Sequence, residues 1–212
     1  MKEIDLNLIK KSFSKDFIKE LKNCYDDYFS TSKFIDNQHY FGTLGTYTNR
    51  NDKHINKEIS DYFERLLFLP NITILDYILK NLDKFSKLNF IDNGAGLGLL
   101  SVFLKELGIT CFNYDNYSQI SNVTFHEIVK NKLNVDIMPV TDRVDLLGNF
   151  KGNVITSSGV WLSSPTFDKM DIKCVLMDSF YFGRGTENSL IDKCELTLSS
   201  EYEGAIKIYS KI

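Results

Sequence analysis

The run Phe90-Ile91-Asp92-Asn93-Gly94-Ala95-Gly96-Leu97-Gly98 constrains this chain more than any other stretch. Leu88, Phe90 and Ile91 have the apolar character of a buried central strand, and that strand ends in an acid and empties into three alternating glycines. Glycine lets a backbone turn sharply and approach a ligand that a side chain would push away. Leu97, Leu100, Leu104 and Leu107 then recur at helical spacing, which packs a helix back on a sheet, with Gly108 as its stop. A second strand, Ile109 to Tyr114, ends in Asp115, roughly 20 residues beyond the glycines, where a carboxylate is placed to accept both hydroxyls of a ribose. Strand, glycine turn, helix and strand together open an α/β fold that holds a nucleotide-like ligand.

The glycine spacing separates two cofactor classes. A dinucleotide fingerprint reads G-x-G-x-x-G, whereas this chain reads G-A-G-L-G and has Leu99 where the third glycine would fall. Together with the acid two residues ahead, Asp92, Gly94, Gly96 and Gly98 resemble motif I of the class I S-adenosylmethionine-dependent methyltransferases, (D/E)-x-G-x-G-x-G. Asp115 resembles that family's ribose-binding acid.

Further strands are expected at about Val135 to Val140, Val154 to Ser157, Cys174 to Phe180, Glu195 to Tyr202 and Ala205 to Ile212, each apolar-rich and bounded by turn residues. The last two are separated by a tight Glu203-Gly204 turn, which predicts a hairpin. The expected fold is α/β: a Rossmann-like, seven-stranded, mostly parallel sheet with a C-terminal β-hairpin. The resemblance implies that the seventh strand runs antiparallel between the fifth and sixth, and it covers residues 88–212.

Residues 1–87 read as a helical cap and substrate-recognition region continuous with that core. Leu6, Ile9, Phe13, Phe17 and Leu21 recur at helical spacing over residues 5–29. A polar, aromatic stretch from Ser30 to Asn51 follows. Ile55, Ile59, Tyr62, Phe63 and Leu66 then make one apolar stripe, Pro70 interrupts, and Ile74, Tyr77, Ile78 and Leu82 make another.

Composition narrows the function classes. With 212 residues, 43% hydrophobic, and a formal net charge of -3, the chain can bury a substantial core but lacks the basic face of a dedicated nucleic-acid binder. No apolar run approaches the roughly 20 residues of a transmembrane helix, and the N-terminus has no signal-peptide core, so a cytoplasmic protein without membrane association is expected. Cys24, Cys111, Cys174 and Cys194 are scattered, which fits reduced core residues better than a metal site or a disulfide framework.

The resemblance assigns roles along the carboxyl edge of the sheet. The backbone at Gly94, Ala95, Gly96 and Gly98 lies against the methionine and ribose portions of S-adenosyl-L-methionine, and Asp92 helps hold the amino-acid end; the plainer alternative is a carboxylate that caps the glycine turn. Asp115 reads the ribose, with Asn116 or Tyr117 over the adenine face. Thr141 and Asp142 follow the third strand, and Asp142 is the candidate adenine reader, with Asp136 and Asp145 near enough to exchange with it. Ser157 and Ser158 form the floor between cofactor and acceptor, and Trp161 either stacks on substrate or packs. The Asp/Asn-Pro-Pro-Tyr/Phe tetrad of exocyclic-amine nucleic-acid methyltransferases does not occur at Ser157 to Val160.

Methyl transfer is a direct displacement that needs alignment first and a base only when the acceptor must lose a proton. His39 and Tyr40 lie in a polar loop, Asp36 to Tyr40, flanked by Gly42 and Gly45, and are the candidate catalytic residues. No cluster has metal-ligand spacing. Short connections, 162–173 and 183–193, leave recognition to the first 87 residues, whose Phe34, Gln38, Tyr40, Phe41 and Tyr47 suit a small molecule or glycan precursor. A noncatalytic binding module acting through a protein partner and an NAD-dependent oxidoreductase are the alternatives.

Overall fold

The computed structural model describes residues 6–30, 70–93, 95, 98–114, 120–137, 153–157, 171–178, 195–202 and 206–211. The N-terminal helical pattern, expected as one helix, is two: α1 (Leu6–Ser12) and α2 (Lys15–Ser30). Ser14 divides them, its Oγ accepting the Phe17 N–H at 3.1 Å, which satisfies an otherwise orphaned donor at the start of α2. The apolar stripe survives the break, because Ile9, Phe13, Phe17 and Leu21 are all buried. Phe13 and Phe17 stack at 5.6 Å and both meet Phe103 edge-on, at 4.9 and 5.8 Å.

The next helix, α3 (Pro70–Lys80), begins on its proline, where a missing N–H costs nothing. A single turn, α4 (Leu82–Phe85), leads into the sheet. The chain then runs β1 (Asn89–Asn93), α5 (Leu99–Glu106), β2 (Cys111–Tyr114), α6 (Ile120–Leu133), β3 (Asn153–Ser157), β4 (Ile172–Asp178), β5 (Thr197–Tyr202) and β6 (Ile206–Ser210).

The described sheet has six strands in the order β2-β1-β3-β4-β6-β5. The first four are parallel, and β6 runs antiparallel between β4 and β5. This is the Rossmann-like mixed sheet that the sequence leads one to expect, with the last strand in sequence inserted beside the fifth expected one. Of the expected strand at Val135 to Val140, residues up to Ile137 carry no strand pairing and 138–140 lie outside the described residues. Asn134, at φ 54°, closes α6 there, its N–H bonded to the Lys130 carbonyl at 3.0 Å.

Three strands start two residues from their expected bounds: β2, at Cys111, and β5, at Thr197, begin late. β4 starts at Ile172, two residues early, because the register shifts between Asn153 and Val154, whose partners are Ile172 and Cys174. That irregularity leaves Lys173 exposed while Ile172 and Cys174 are both buried.

Phe90, Cys111, Val154, Leu176, Ile206 and Ile208 share one apolar core with buried residues of α1, α2, α3, α5 and α6. The alternate row, Ile91, Ile155, Val175 and Met177, is buried as well, so β1, β3 and β4 are covered on both faces. Cys24, Cys111 and Cys174 are buried free thiols, and Cys194 lies outside the described residues. Burial pushes Cys24 up to about 11 and Cys174 up to about 12. No helix among the described residues is long and apolar enough to cross a membrane.

Candidate functional site

Parallel pairing aligns the carboxyl ends of three strands. Asn93 stands level with Tyr114 on one side and Ser157 on the other. These three residues immediately precede Gly94, Asp115 and Ser158 in sequence, so the chain leaves the sheet at one edge in the three places where the sequence puts its candidates. Open α/β sheets bind ligands outside this edge.

One residue back, the register sets Asn113, Asp92 and Thr156 side by side on β2, β1 and β3. All three are buried, at 1%, 1% and 0% exposure. In-register neighbours of a parallel sheet share a face, and two residues earlier the same rows hold Cys111, Phe90 and Val154, which belong to the apolar core. The core face of the sheet thus turns polar over its last step before the glycine turn. Buried polar groups are costly unless hydrogen-bonded, and each of these three side chains makes at least one hydrogen bond. Thr156 Oγ1 donates to Asp92 Oδ1 at 3.0 Å. Asn113 Nδ2 donates to the Ile137 carbonyl at 2.6 Å, and Ser101 Oγ, in the first turn of α5, donates to Asn113 Oδ1.

Burial, and after it the neighbouring Asp92 charge, pushes the Cys111 thiol well above its ordinary range. That thiol lies 3.0 Å from Ser101 Oγ. A protonated thiol can donate to the hydroxyl, which in turn donates to the Asn113 amide, so the contacts form a directed chain.

The glycine turn stands on this row. Ala95 is buried, its carbonyl accepts the Gly98 N–H at 2.8 Å, and the Gly98 carbonyl accepts the Val102 N–H at 3.1 Å as α5 begins. Gly98 caps α5 in the left-handed conformation, at φ 73°. Its glycine identity has a second cause that differs from the expected one: a Cβ there would collide with Asn113 Nδ2 rather than obstruct a ligand. Internal packing of the turn on β2 demands this glycine.

Of the expected site residues, Asp92, Ala95, Gly98 and Ser157 are described, and the structure brings them to the same edge. Asp92 Oδ1 accepts the Thr156 hydroxyl within the sheet. Gly94, Gly96, Asp115, Asn116, Thr141, Asp142, Ser158, Trp161, His39 and Tyr40 lie outside the described residues. Asp136, one possible exchange partner of Asp142, is exposed and ion-paired with Lys130 at 3.3 Å. No group of three or more His, Cys, Asp or Glu able to hold a metal ion occurs among the described residues. Asn113 and Ser101 carry no expectation from sequence; the available signal was an amide inside a short, otherwise apolar strand and a hydroxyl in an otherwise apolar helix turn.

No protein-family model and no curated protein matches the chain. Solved structures do. TehB from Haemophilus influenzae is 14% identical, with 73% of this chain matched to 66% of that one and a TM-score of 0.42. The chain therefore spans slightly less than two thirds of that protein's length. Magnesium protoporphyrin IX methyltransferase from Synechocystis PCC 6803, solved with bound SAM, is 13% identical over 90% of this chain and 95% of that one, with a TM-score of 0.48. A SAM-dependent methyltransferase from Aquifex aeolicus is 17% identical over 72% and 94%, with a TM-score of 0.41.

Proposed function

We propose that this chain binds S-adenosyl-L-methionine at the carboxyl edge of its sheet and transfers the methyl group to a small molecule or glycan precursor. The observation that carries the reading is the buried Asp92 at the end of β1, set against a glycine turn whose last glycine caps α5. The sheet order, with an antiparallel strand between β4 and β5, supports it. The donor set fits such a ligand. A carboxylate at the strand end and the free backbone N–H groups at the start of α5 suit a molecule bearing an amino group, a carboxylate and ribose hydroxyls.

When bound, the cofactor supplies an electrophilic methyl group on a sulfonium. The chain's own task is alignment: to hold the acceptor atom in line with that methyl group and to keep water out, which is where most of the acceleration of a direct displacement originates. Asp115 is proposed for the ribose hydroxyls, with Asn116 beside the adenine, and Thr141 and Asp142 for the adenine edge. Gly94, Gly96 and Ser157 are proposed to line the crevice. Residues 1–87 are proposed to recognise the acceptor, with His39 and Tyr40 positioned to take its proton where one must leave, and Ser158 and Trp161 in contact with it.

Calorimetric titration with S-adenosylhomocysteine, with NAD as a parallel ligand, tests this reading. Saturable binding of the former alone, at about micromolar strength, is the expected result. Silence toward it, or tight binding of NAD in its place, overturns the reading.

A further inference from the structure

We infer that Asn113 is a positioning residue for the adenosine end of the proposed site, an assignment that rests on the S-adenosylmethionine reading above. Three segments converge on its side chain. Its Oδ1 accepts from Ser101, in the first turn of α5; its Nδ2 donates to the Ile137 carbonyl at 2.6 Å; and the same nitrogen is packed so closely on Gly98 that no Cβ fits between them. Asn113 itself stands two residues before Asp115, and Ile137 stands four before Thr141. One buried amide therefore fixes the glycine turn, the strand that leads to the proposed ribose acid, and the segment that leads to the proposed adenine residues, all relative to one another.

The chemistry of the side chain suits this task and few others. An amide carries both an acceptor and donors in one rigid plane, so it can be tied to a hydroxyl on one side and a carbonyl on the other at once. Its orientation is set by the Ile137 carbonyl, which can only accept and so takes Nδ2, leaving Oδ1 for the Ser101 hydroxyl. Leucine in this place would fill the volume and satisfy neither partner. Ile137 has no strand pairing in the described residues, so the Asn113 bond does for this segment what ladder bonds do for β1 and β3.

Two variants separate positioning from mere support. Asn113→Ala removes both bonds, whereas Asn113→Asp keeps the size and an acceptor but can donate to the Ile137 carbonyl only when its carboxyl is protonated. Wild type and both variants are titrated with S-adenosylhomocysteine and with adenosine at pH 5.5 and pH 8, well below each protein's melting temperature. In wild type, both ligands bind. Asn113→Ala weakens both by about tenfold or more, the range expected for loss of a buried hydrogen bond. Asn113→Asp is weakened at pH 8 and partly recovers at pH 5.5 beyond any pH change seen in wild type.

A purely structural role would lower the melting temperature of the variants without that pH-dependent recovery. Wild-type affinity in both variants, or Asp-variant binding that follows wild type across pH, overturns the assignment while leaving the cofactor reading intact. Silence of the wild type toward both ligands overturns the cofactor reading and the assignment with it. Should Asn113→Ala fail to fold, the pH comparison on Asn113→Asp decides the matter alone.

Discussion

Two aspartates among the described residues are buried, and their surroundings differ in kind. Asp76 of α3 faces the C-terminal hairpin. It takes the Lys80 ammonium at 2.8 Å and the hydroxyl of Tyr202, and Lys80 donates to the same phenol at 2.6 Å. The Tyr202 ring lies 5.3 Å below Lys80 and 5.0 Å from the Tyr77 ring. Asp92, at the end of β1, instead takes a threonine hydroxyl and has an asparagine amide as its other neighbour in the row. The first carboxylate is neutralised by a cation and closed off by aromatic packing, so its cluster is a fastener between the helices that precede the sheet and the strand at its far edge. The second accepts a threonine hydroxyl beside the glycine turn, where the strands end. Burial alone therefore does not mark a site; the position of a polar group in the fold does.

The comparison breaks if the fastener turns out to govern ligand binding. Asp76→Ala removes the buried carboxylate that Lys80 and Tyr202 share and is expected to cost about 1 to 3 kcal/mol in urea unfolding, the range for losing hydrogen bonds to a charged group whose donors can turn to solvent. Affinity for S-adenosylhomocysteine should not move, and a parallel loss of affinity would place both clusters in one functional unit. Gly98→Ala comes next. It combines a left-handed backbone with a collision against Asn113 and should cost about 2 to 3 kcal/mol. Adding Asn113→Ala opens the space the new methyl needs, so the double variant should be more stable than the sum of the two single losses, and strict additivity would show that the turn and β2 are not coupled. Thr156→Val has a smaller effect: it keeps the shape, withdraws the hydroxyl from Asp92, and should lower stability by about 1 to 2 kcal/mol. A neutral outcome by thermal denaturation would mean that Asp92 does not depend on that hydroxyl.

The same contrast explains what could be read from sequence. Asp92, the glycines and the helix after them were legible because each obeys a local rule: an acid ends a strand, glycine takes a positive φ, leucines recur at helical spacing. The order of the sheet followed from a resemblance that rests on those few residues. The break at Ser14 was hidden, since Phe13 and Phe17 keep the apolar period through it and only a side-chain cap divides the helix. The early start of β4 was hidden too, because it depends on where Asn153 pairs, a property of two strands and not of one. Asn113, Thr156 and Tyr202 share that non-local character. Asn113 is one polar residue inside a strand window, the Thr156 partner lies on another strand, and Tyr202 acquires its role only when β5 comes against α3, over a separation of 126 residues. Residues such as His39, Asp115 and Asp142 rest on sequence alone, because they fall outside the described residues.

Alkaline titration sharpens the comparison with the smallest effect, because the fastener carries a phenol and an ammonium that titrate there. Burial, and then the hydrogen bond to Asp76, raises the Tyr202 hydroxyl from 10.0 to about 12. Burial by itself would lower Lys80, but its hydrogen bonds to Asp76 and Tyr202 outweigh that and raise it from 10.5 to about 12. Both groups thus keep their protons in the folded protein at pH values where an unfolded chain has begun to release them. Unfolding then releases protons, so the stabilisation is fully present below about pH 10 and is lost as pH rises through about 12. The magnitude is modest, since Lys80 and Tyr202 both reach solvent and their interaction is partly screened. Urea midpoints measured from about pH 8 to pH 11.5 should fall in wild type and fall less steeply in Tyr202→Phe, which removes one of the two titrating groups and part of what raises the other. Parallel curves would show that the Asp76 cluster contributes no alkaline transition. The fastener would then rest on aromatic packing rather than on charge, and the distinction from the row around Asp92 would be one of position alone.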